Sequence, residues 1–138
     1  MTDKGWNDEI AELRRRQALA AEMGGAERVA RQKARGKLTV RERIAALLDE
    51  GSFREWGSLA GEGRYDAEGR LTGFRASSCL VGRGTLEGRP VVVSADDFTS
   101  RGGSSETYHH EKNVQVELMA AEYGLPLVRL LDGTGGGG

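Results

Sequence analysis

The sequence predicts an α/β fold preceded by an amino-terminal helical arm. Apolar residues recur at helical spacing through the first third of the 138-residue chain. Two strand-like runs joined by a tight turn come next, and a helical segment then leads into another apolar strand. A strand–helix–strand unit with so short a crossover is expected to be right-handed, with its two strands parallel.

Residues 1–56 are interpreted as the helical arm. A first helix is expected over residues 7–23, and a second reaches about Lys33. Thr39 and Glu42 fit a capping box at the start of a third helix. The apolar face of that third helix consists of Val40, Ile44, Leu47 and Leu48. Three narrow apolar faces bury little by themselves, so we expect the arm to pack on a body later in the chain or on another subunit.

A body is expected over residues 74–138, separated from the arm by a loop at residues 57–73. The loop segment is polar, interrupted by glycines and has no period of 2 or 3.6. Within the body, residues 78–86 and 90–95 are strand-like and meet at a tight turn, Glu87-Gly88-Arg89. The second strand contains a continuously apolar run, Val91-Val92-Val93, as expected when both faces of a strand are covered.

A helix is expected to follow, capped by Ser104 or Ser105 and ending near Tyr123. Its predicted buried side consists of Tyr108, Val114, Leu118 and Ala121. Another apolar strand is expected over residues 126–131. Ligands of open α/β sheets bind beyond the carboxyl ends of the strands. The two glycine pairs that follow the strands, Gly102-Gly103 and Gly135-Gly136, should therefore face one crevice.

Composition excludes several classes of function. A net charge of −1 with 30% charged residues does not favour nucleic-acid binding. No apolar stretch approaches the ~18 residues of a membrane span, the polar start is not a signal peptide, and Cys79 is the only cysteine. We therefore expect a cytoplasmic protein without a membrane partner. The first 43 residues carry eleven Lys/Arg against seven Asp/Glu, which indicates either a solvated helix surface or an anionic ligand such as a phosphorylated cofactor.

The glycine-rich segment at residues 133–138 is open to three interpretations. It formally matches the dinucleotide-binding pattern G-x-G-x-x-G, although any glycine tract can do so by chance. A terminal glycine tract can also be an artificial linker. We favour a loop that presents backbone N–H groups to a developing oxyanion, because Asp132 and Gly133 join it directly to a core strand.

Two pairs of adjacent polar residues could suggest a metal site or an acid/base pair, but their spacing disfavours both. His109 and His110 point about 100° apart on a helix, so they cannot chelate one ion, and no metal site is expected. His109 is assigned to the helix surface. Asp96 and Asp97 leave a strand in opposite directions, so a role in forming a turn is favoured over an acid/base pair.

Several motifs, in the right order, resemble those of the carboxyltransferase (beta) subunits of biotin-dependent acyl-CoA carboxylases, such as the acetyl- and propionyl-CoA carboxylases. They are residues 34–44 (ARGKLTVRERI), 47–49 (LLD), 51–53 (GSF), 81–84 (VGRG), 88–93 (GRPVVV), 97–99 (DFT) and 102–104 (GGS), with Glu111-Lys112 in the helix. The resemblance implies a crotonase-like fold of repeated ββα units, incomplete in this chain.

The resemblance also implies an activity, which is the transfer of CO2 from carboxybiotin to the α-carbon of an acyl-CoA. Backbone amides of Gly135, Gly136 and Gly137 would stabilise the thioester oxygen. Gly102, Gly103 and Ser104 would form part of the CoA-binding rim. The implied partners are acyl-CoA, a biotin carboxylase or biotin carrier subunit, which brings the biotin, and further copies of the full-length protein.

The chain departs from the family at two points. Family members are several times longer, with a second crotonase-like half that receives biotin, so we expect this chain to be the acyl-CoA side only and inactive alone. The family commonly has Asp-Ser-Gly-Gly-Ala-Arg where this chain has Asp132-Gly133-Thr134 followed by four glycines. Two alternatives stay open, namely another acyl-CoA enzyme such as a decarboxylase carboxyltransferase, or a non-catalytic assembly module.

Overall fold

A computed structural model describes residues 5–104 and 107–134. In these residues three helices come first, followed by five strands, a fourth helix and a sixth strand. The elements are α1 (Asn7–Ala21), α2 (Ala26–Ala34), α3 (Val40–Leu47), β1 (Arg54–Trp56), β2 (Gly61–Tyr65), β3 (Leu71–Ala76), β4 (Cys79–Leu86), β5 (Arg89–Asp96), a 3-10 turn (Arg101–Gly103), α4 (Thr107–Tyr123) and β6 (Leu127–Leu130).

The main sheet has four strands in the order β1-β4-β5-β6. Strands β4 and β5 form an antiparallel hairpin, whose turn residues Glu87 and Gly88 both have positive φ, the backbone shape that suits a two-residue hairpin loop. Strand β6 pairs with β5 in parallel, and the ladder ends where Ala95 lies opposite Leu130. The predicted hairpin and the predicted parallel strand–helix–strand unit are both confirmed.

Helices cover both faces of this sheet. Val40, Ile44 and Leu48, at α3, pack in one core cluster with alternate residues of β5. On the opposite face Val116 and Ala120 of α4 pack with Val92 of β5 and with Cys79 and Val81 of β4. The alternation explains why Val91-Val92-Val93 in β5 is continuously apolar, since both faces of the strand are covered. The arm therefore packs on the body of this same chain, which was one of the two expectations from the sequence.

The predicted loop at residues 57–73 is wrong, because it contains β2 and the start of β3. These two strands form a separate antiparallel hairpin. Its turn is held by the Asp66 carboxylate, which accepts hydrogen bonds from the backbone N–H groups of Glu68 and Arg70 at 3.0 and 2.8 Å. The hairpin lacks a hydrophobic period because β2 is almost entirely exposed. The division into arm, linker and body stays a prediction.

The predicted buried face of α4 is also wrong. Val114 and Leu118 are 38% and 59% exposed, whereas Lys112, Val116 and Ala120 are buried. Helix α4 begins at Thr107 and carries apolar residues around its circumference, so their spacing does not select one face. The side of α4 that faces the sheet also makes polar contacts with β5, through His109 and Asn113.

Within residues 5–104 and 107–134, no helix combines the length and apolar composition that a membrane span requires.

The capping box at α3 is present and yields a prediction. The Thr39 side chain accepts from the Glu42 N–H at 3.2 Å, and the Glu42 carboxylate accepts from the Thr39 N–H at 2.8 Å. Thr39→Ala should lower the free energy of unfolding by about 1 kcal/mol, because the helix loses its cap. Thr39→Ser keeps the hydroxyl and serves as the control in urea denaturation. Equal stability of the alanine and serine variants would contradict the assignment.

Candidate functional site

The carboxyl ends of β5 and β6 meet at one edge of the sheet, which we call the rim (residues 96–104 and 131–134). The parallel pairing of these strands places both ends on the same side. The two loops that leave them contact each other, since the Thr134 N–H donates to the Gly102 carbonyl at 3.1 Å. The sequence-based expectation that the two glycine loops approach one another holds as far as Thr134.

Gly103 permits the closest approach of these loops. Its φ is +67°, and a Cβ added there would lie 2.3 Å from the Asp132 carbonyl oxygen. Gly102 also has a positive φ, as does the preceding Arg101, so three successive residues adopt the left-handed conformation. Glycine is required at Gly103 for two reasons, its backbone conformation and the lack of space for a side chain.

Asp97 shapes the start of the loop after β5. Its carboxylate accepts from the Thr99 N–H at 2.9 Å and from the Thr99 hydroxyl at 2.6 Å, a local turn contact. Burial raises the pKa of the Asp97 carboxyl, and the Thr99 hydrogen bonds and the charges of Arg41 and Arg43 oppose that rise. Asp96 points instead towards α4, so the prediction that the two carboxylates diverge is confirmed.

The arm helices help to build the rim. From α3, the Arg43 guanidinium donates to the Asp96 carbonyl and, at 3.4 Å, to the Leu130 carbonyl, so it joins the ends of β5 and β6. Two other arm residues, Lys37 and Gln32, donate hydrogen bonds to the Asp132 carboxylate at 3.2 and 3.3 Å. The segment after β6 is therefore held by side chains from α2 and the α2–α3 connection.

A cleft of about 320 Å³ opens beside the rim, and we call it the arginine cleft. It is lined by Arg28, Arg31, Gln32, Arg35, Arg75, Phe98, Thr99, Arg101 and Gly102. Five of these residues are arginines and none is acidic. Arg31 pairs with Glu27 at 2.8 Å, and Arg75 and Arg101 both pair with Glu62.

Two of the five arginines have no carboxylate partner within the described part of the chain. These are Arg28 and Arg35, both at α2 or its end. Uncompensated guanidinium groups around a concave surface favour an anionic ligand, and their planar donors suit phosphate. Three of the five arginines, Arg28, Arg31 and Arg35, belong to the basic first 43 residues, for which an anionic ligand was one of the two sequence-based interpretations.

His109 lies against the sheet, so its assignment to the helix surface is wrong. Its Nε2 is 3.0 Å from Asp96 Oδ1, and the two side chains are 15% and 12% exposed. The Asn113 amide nitrogen lies 3.3 Å from His109 Nδ1, and Asn113 Oδ1 accepts from the Ser94 hydroxyl at 2.6 Å. These polar groups all come from β5 and one side of α4. The side of α4 that faces the sheet therefore includes His109 and excludes Val114, contrary to the predicted buried face.

Donor atoms of Cys79, Asp96 and His109 lie within 4.8 Å of one another, a grouping that sequence spacing could not reveal. Each is already engaged. Asp96 and His109 contact each other, and Cys79 Sγ lies 3.5 Å from the Ser94 hydroxyl. Burial raises the pKa of the Cys79 thiol, which favours its neutral form over the thiolate that binds metals. The grouping is accounted for as a hydrogen-bonded network between β4, β5 and α4.

The predicted site residues differ in what the structure describes. Gly102 and Gly103 lie at the rim, and Gly102 also lines the arginine cleft. The Ser104 hydroxyl donates to the Arg101 carbonyl at 2.8 Å, and a cap of α4 by Ser104 or Ser105 stays a prediction. The predicted oxyanion residues Gly135, Gly136 and Gly137 lie outside the described residues, as does Ser105.

Comparison with known proteins defines the class. Residues 31–138 match the carboxyl transferase domain family, and the chain belongs to that family. It is 40% identical over 128 residues to the propionyl-CoA carboxylase beta chain of Cereibacter sphaeroides, a match that covers 93% of this chain and 25% of the relative. Over 112 residues it is 37% identical to the methylmalonyl-CoA decarboxylase subunit alpha of Veillonella parvula, covering 81% of this chain and 22% of that one.

Solved structures agree on the fold. The hexameric transcarboxylase 12S with bound methylmalonyl-coenzyme A superposes with a TM-score of 0.82 at 30% identity, over 95% of this chain and 26% of that one. A single-chain, multi-domain long-chain acyl-CoA carboxylase gives 0.78 at 29% identity, over 94% and 14%. The chain therefore has the α/β crotonase-like fold of carboxyltransferases, and it spans about a quarter of the length of the curated relatives it matches.

The close approach at Gly103 yields a prediction about the rim. Gly103→Ala should destabilise the protein more than Gly124→Ala. Both positions have positive φ, which costs alanine ~1–2 kcal/mol, but only Gly103 lacks space for a Cβ, whereas nothing lies within 4 Å of one at Gly124. Urea denaturation of the two variants measures the difference. Equal losses of stability would show that the two loops of the rim are not in contact.

Proposed function

We propose that this chain forms the acyl-CoA side of a carboxyltransferase in a biotin-dependent enzyme, which transfers CO2 between biotin and the α-carbon of an acyl-CoA. One observation carries the proposal, namely that a cleft lined by five arginines opens next to the rim, where the loops after β5 and β6 meet at Gly102 and Thr134. Acyl-CoA requires both features, because one end of the molecule is polyanionic and its thioester develops negative charge on oxygen during α-carbon chemistry.

In this proposal the arginine cleft binds the phosphate groups of coenzyme A. Arg28 and Arg35 supply the uncompensated charge, whereas the carboxylates of Glu27 and Glu62 partly neutralise the other three arginines. Gly102 belongs to both the cleft and the rim, so a ligand anchored on the arginines extends along the backbone of the glycine loop. Gly102, Gly103 and Ser104 then form the part of the rim that contacts CoA.

The reacting end of the substrate would lie at the loop after β6. By resemblance to the family, the backbone amides of Gly135, Gly136 and Gly137 stabilise the thioester enolate. Amides that are fixed before the reaction stabilise developing charge without reorganisation. Biotin, carried by a partner protein, supplies and accepts the carboxyl group. The tasks of this chain are to bind the acyl-CoA, to orient its thioester and to stabilise the oxyanion.

The partners of this proposal follow from the same chemistry. A biotin carboxylase or biotin carrier subunit must deliver the carboxyl group, and further copies of the protein assemble around the site. The transcarboxylase 12S that this chain resembles is described as a hexamer that binds methylmalonyl-coenzyme A, which supports an oligomer with an acyl-CoA substrate.

A second candidate is the reverse reaction, in which a carboxyl group leaves an acyl-CoA. The similarity to a methylmalonyl-CoA decarboxylase subunit of Veillonella parvula favours this alternative. Both reactions use the same acyl-CoA site and the same enolate. Two assays of the natural protein with its partner distinguish them. One supplies an acyl-CoA with bicarbonate and ATP, and the other supplies a carboxylated acyl-CoA. The substrate that is consumed identifies the direction of the reaction.

The proposal predicts that the two unpaired arginines control acyl-CoA binding. In the natural protein, purified with its biotin-carrying partner, Arg28→Ala combined with Arg35→Ala should raise KM for acyl-CoA at least about tenfold, because charge-assisted hydrogen bonds to phosphate contribute roughly 1.5–3 kcal/mol each. The value of kcat should change little, since neither side chain reaches the thioester. Steady-state kinetics with varied acyl-CoA measures both constants.

Arg89→Ala is the matched control, since Arg89 is an exposed arginine at the start of β5, the end of the strand that lies away from the rim. It should leave KM unchanged. If the double variant kept the wild-type KM, or if Arg89→Ala raised KM equally, the arginine cleft would not be the phosphate-binding surface.

A further inference from the structure

Asp96 connects two elements at the rim that the strand ladder does not join. Its Oδ1 lies 3.0 Å from His109 Nε2 in α4, and its Oδ2 accepts a hydrogen bond from the backbone N–H of Asp132 at 3.3 Å. We propose that Asp96 is a positioning residue, oriented by His109, that fixes residues 132–134 after β6, where the proposed function places the reacting end of the substrate. The inference rests on the proposed function and adds two residues to it.

The hydrogen bond between Asp96 and the Asp132 N–H lies just beyond the last paired residues of β5 and β6. Parallel pairing between β5 and β6 ends at Ala95 and Leu130, one position before Asp96. The strands separate beyond that point, so the Asp132 N–H has no backbone partner from the ladder. The Asp96 carboxylate takes the place of the missing carbonyl and satisfies this donor. Asp132 begins the segment that follows β6, so this hydrogen bond orients the described part of that segment, residues 132–134.

The orientation of His109 is assigned from its neighbours. Asn113 Oδ1 accepts from the Ser94 hydroxyl at 2.6 Å and from Arg129 at 2.9 Å. The amide of Asn113 therefore turns its nitrogen to His109 Nδ1, which is 3.3 Å away and must be the acceptor. His109 Nε2 then carries a proton and donates it to the Asp96 carboxylate. His109 therefore holds Oδ1 of the Asp96 carboxylate, and Oδ2 is directed at the Asp132 N–H.

The surroundings make the contact effective. Both side chains are mostly shielded from water, at 12% exposure for Asp96 and 15% for His109. Hydrogen bonds to a charged group are stronger in such a setting than in solvent. The carboxylate of Asp132 also accepts hydrogen bonds from Lys37 and Gln32. Loss of the Asp96 carboxylate would therefore remove the hydrogen bond to the Asp132 N–H, whereas the side chain of Asp132 would keep its contacts. The expected defect is misorientation without unfolding.

This defect should appear in kcat. The arginine cleft includes neither Asp96 nor His109, so acyl-CoA binding should persist in variants of either residue. Misplacement of a catalytic group by about 1 Å can lower a rate roughly 100-fold. Asp96→Ala and His109→Ala in the natural protein, assayed with its biotin-carrying partner, should each lower kcat roughly 10- to 100-fold with KM for acyl-CoA unchanged.

Two further variants separate positioning from simple stability. His109→Gln can still donate a hydrogen bond to Asp96 and should recover most of the lost kcat. His110→Ala changes the neighbouring exposed histidine and should have no effect. Wild-type kcat in Asp96→Ala and His109→Ala would overturn the proposal. So would a parallel loss of kcat and thermal stability in His109→Ala that His109→Gln does not restore.

An activity-independent readout keeps this test separate from the proposed function. Asp96→Ala should accelerate hydrogen exchange at the Asp132 amide, while Asp96→Asn, which retains an acceptor oxygen, should preserve its protection. Unchanged exchange in Asp96→Ala would refute the positioning role even in an active enzyme. Failure of the wild-type protein to carboxylate or decarboxylate any acyl-CoA would refute the proposed function instead, and the exchange result would still decide the inference.

Discussion

The parallel pairing of β5 with β6 is the constraint on which the site depends. It requires that the chain cross over through α4, and it brings the ends of both strands to one edge of the sheet. Everything at the rim follows from that arrangement. The loops that leave the strands meet at Gly103, and Asp96 can reach the Asp132 backbone, because the two strands separate at the same level.

The arm helices are part of the site as well as a cover for the sheet. Helix α3 buries its apolar side on β5, and the same helix places Arg43 against the carbonyl groups at the ends of β5 and β6. Helix α2 provides arginines to the cleft and a glutamine to Asp132. Packing of the arm on the sheet therefore also brings together the residues of the arginine cleft.

Local chemistry made much of this predictable. The capping box at Thr39 and the turn at Gly88 depend on neighbouring residues, and both appear as expected. The family could be predicted because its motifs are short and ordered along the chain. The register of α4 could not, since apolar residues surround that helix and the contact between His109 and Asp96 joins residues from separate elements. The hairpin of β2 and β3 was missed because an exposed strand carries no hydrophobic period.

The central claim is that the rim and the arginine cleft together form an acyl-CoA site. Hydrogen–deuterium exchange of the natural protein, with and without a saturating acyl-CoA, tests it most directly. The account predicts that the ligand increases protection in the segments at residues 98–103 and 132–134, and around Arg28 to Arg35 in α2. The hairpin turn at Glu87, at the opposite end of β5, should not respond. Protection confined to other regions, with the rim unchanged, would contradict the account.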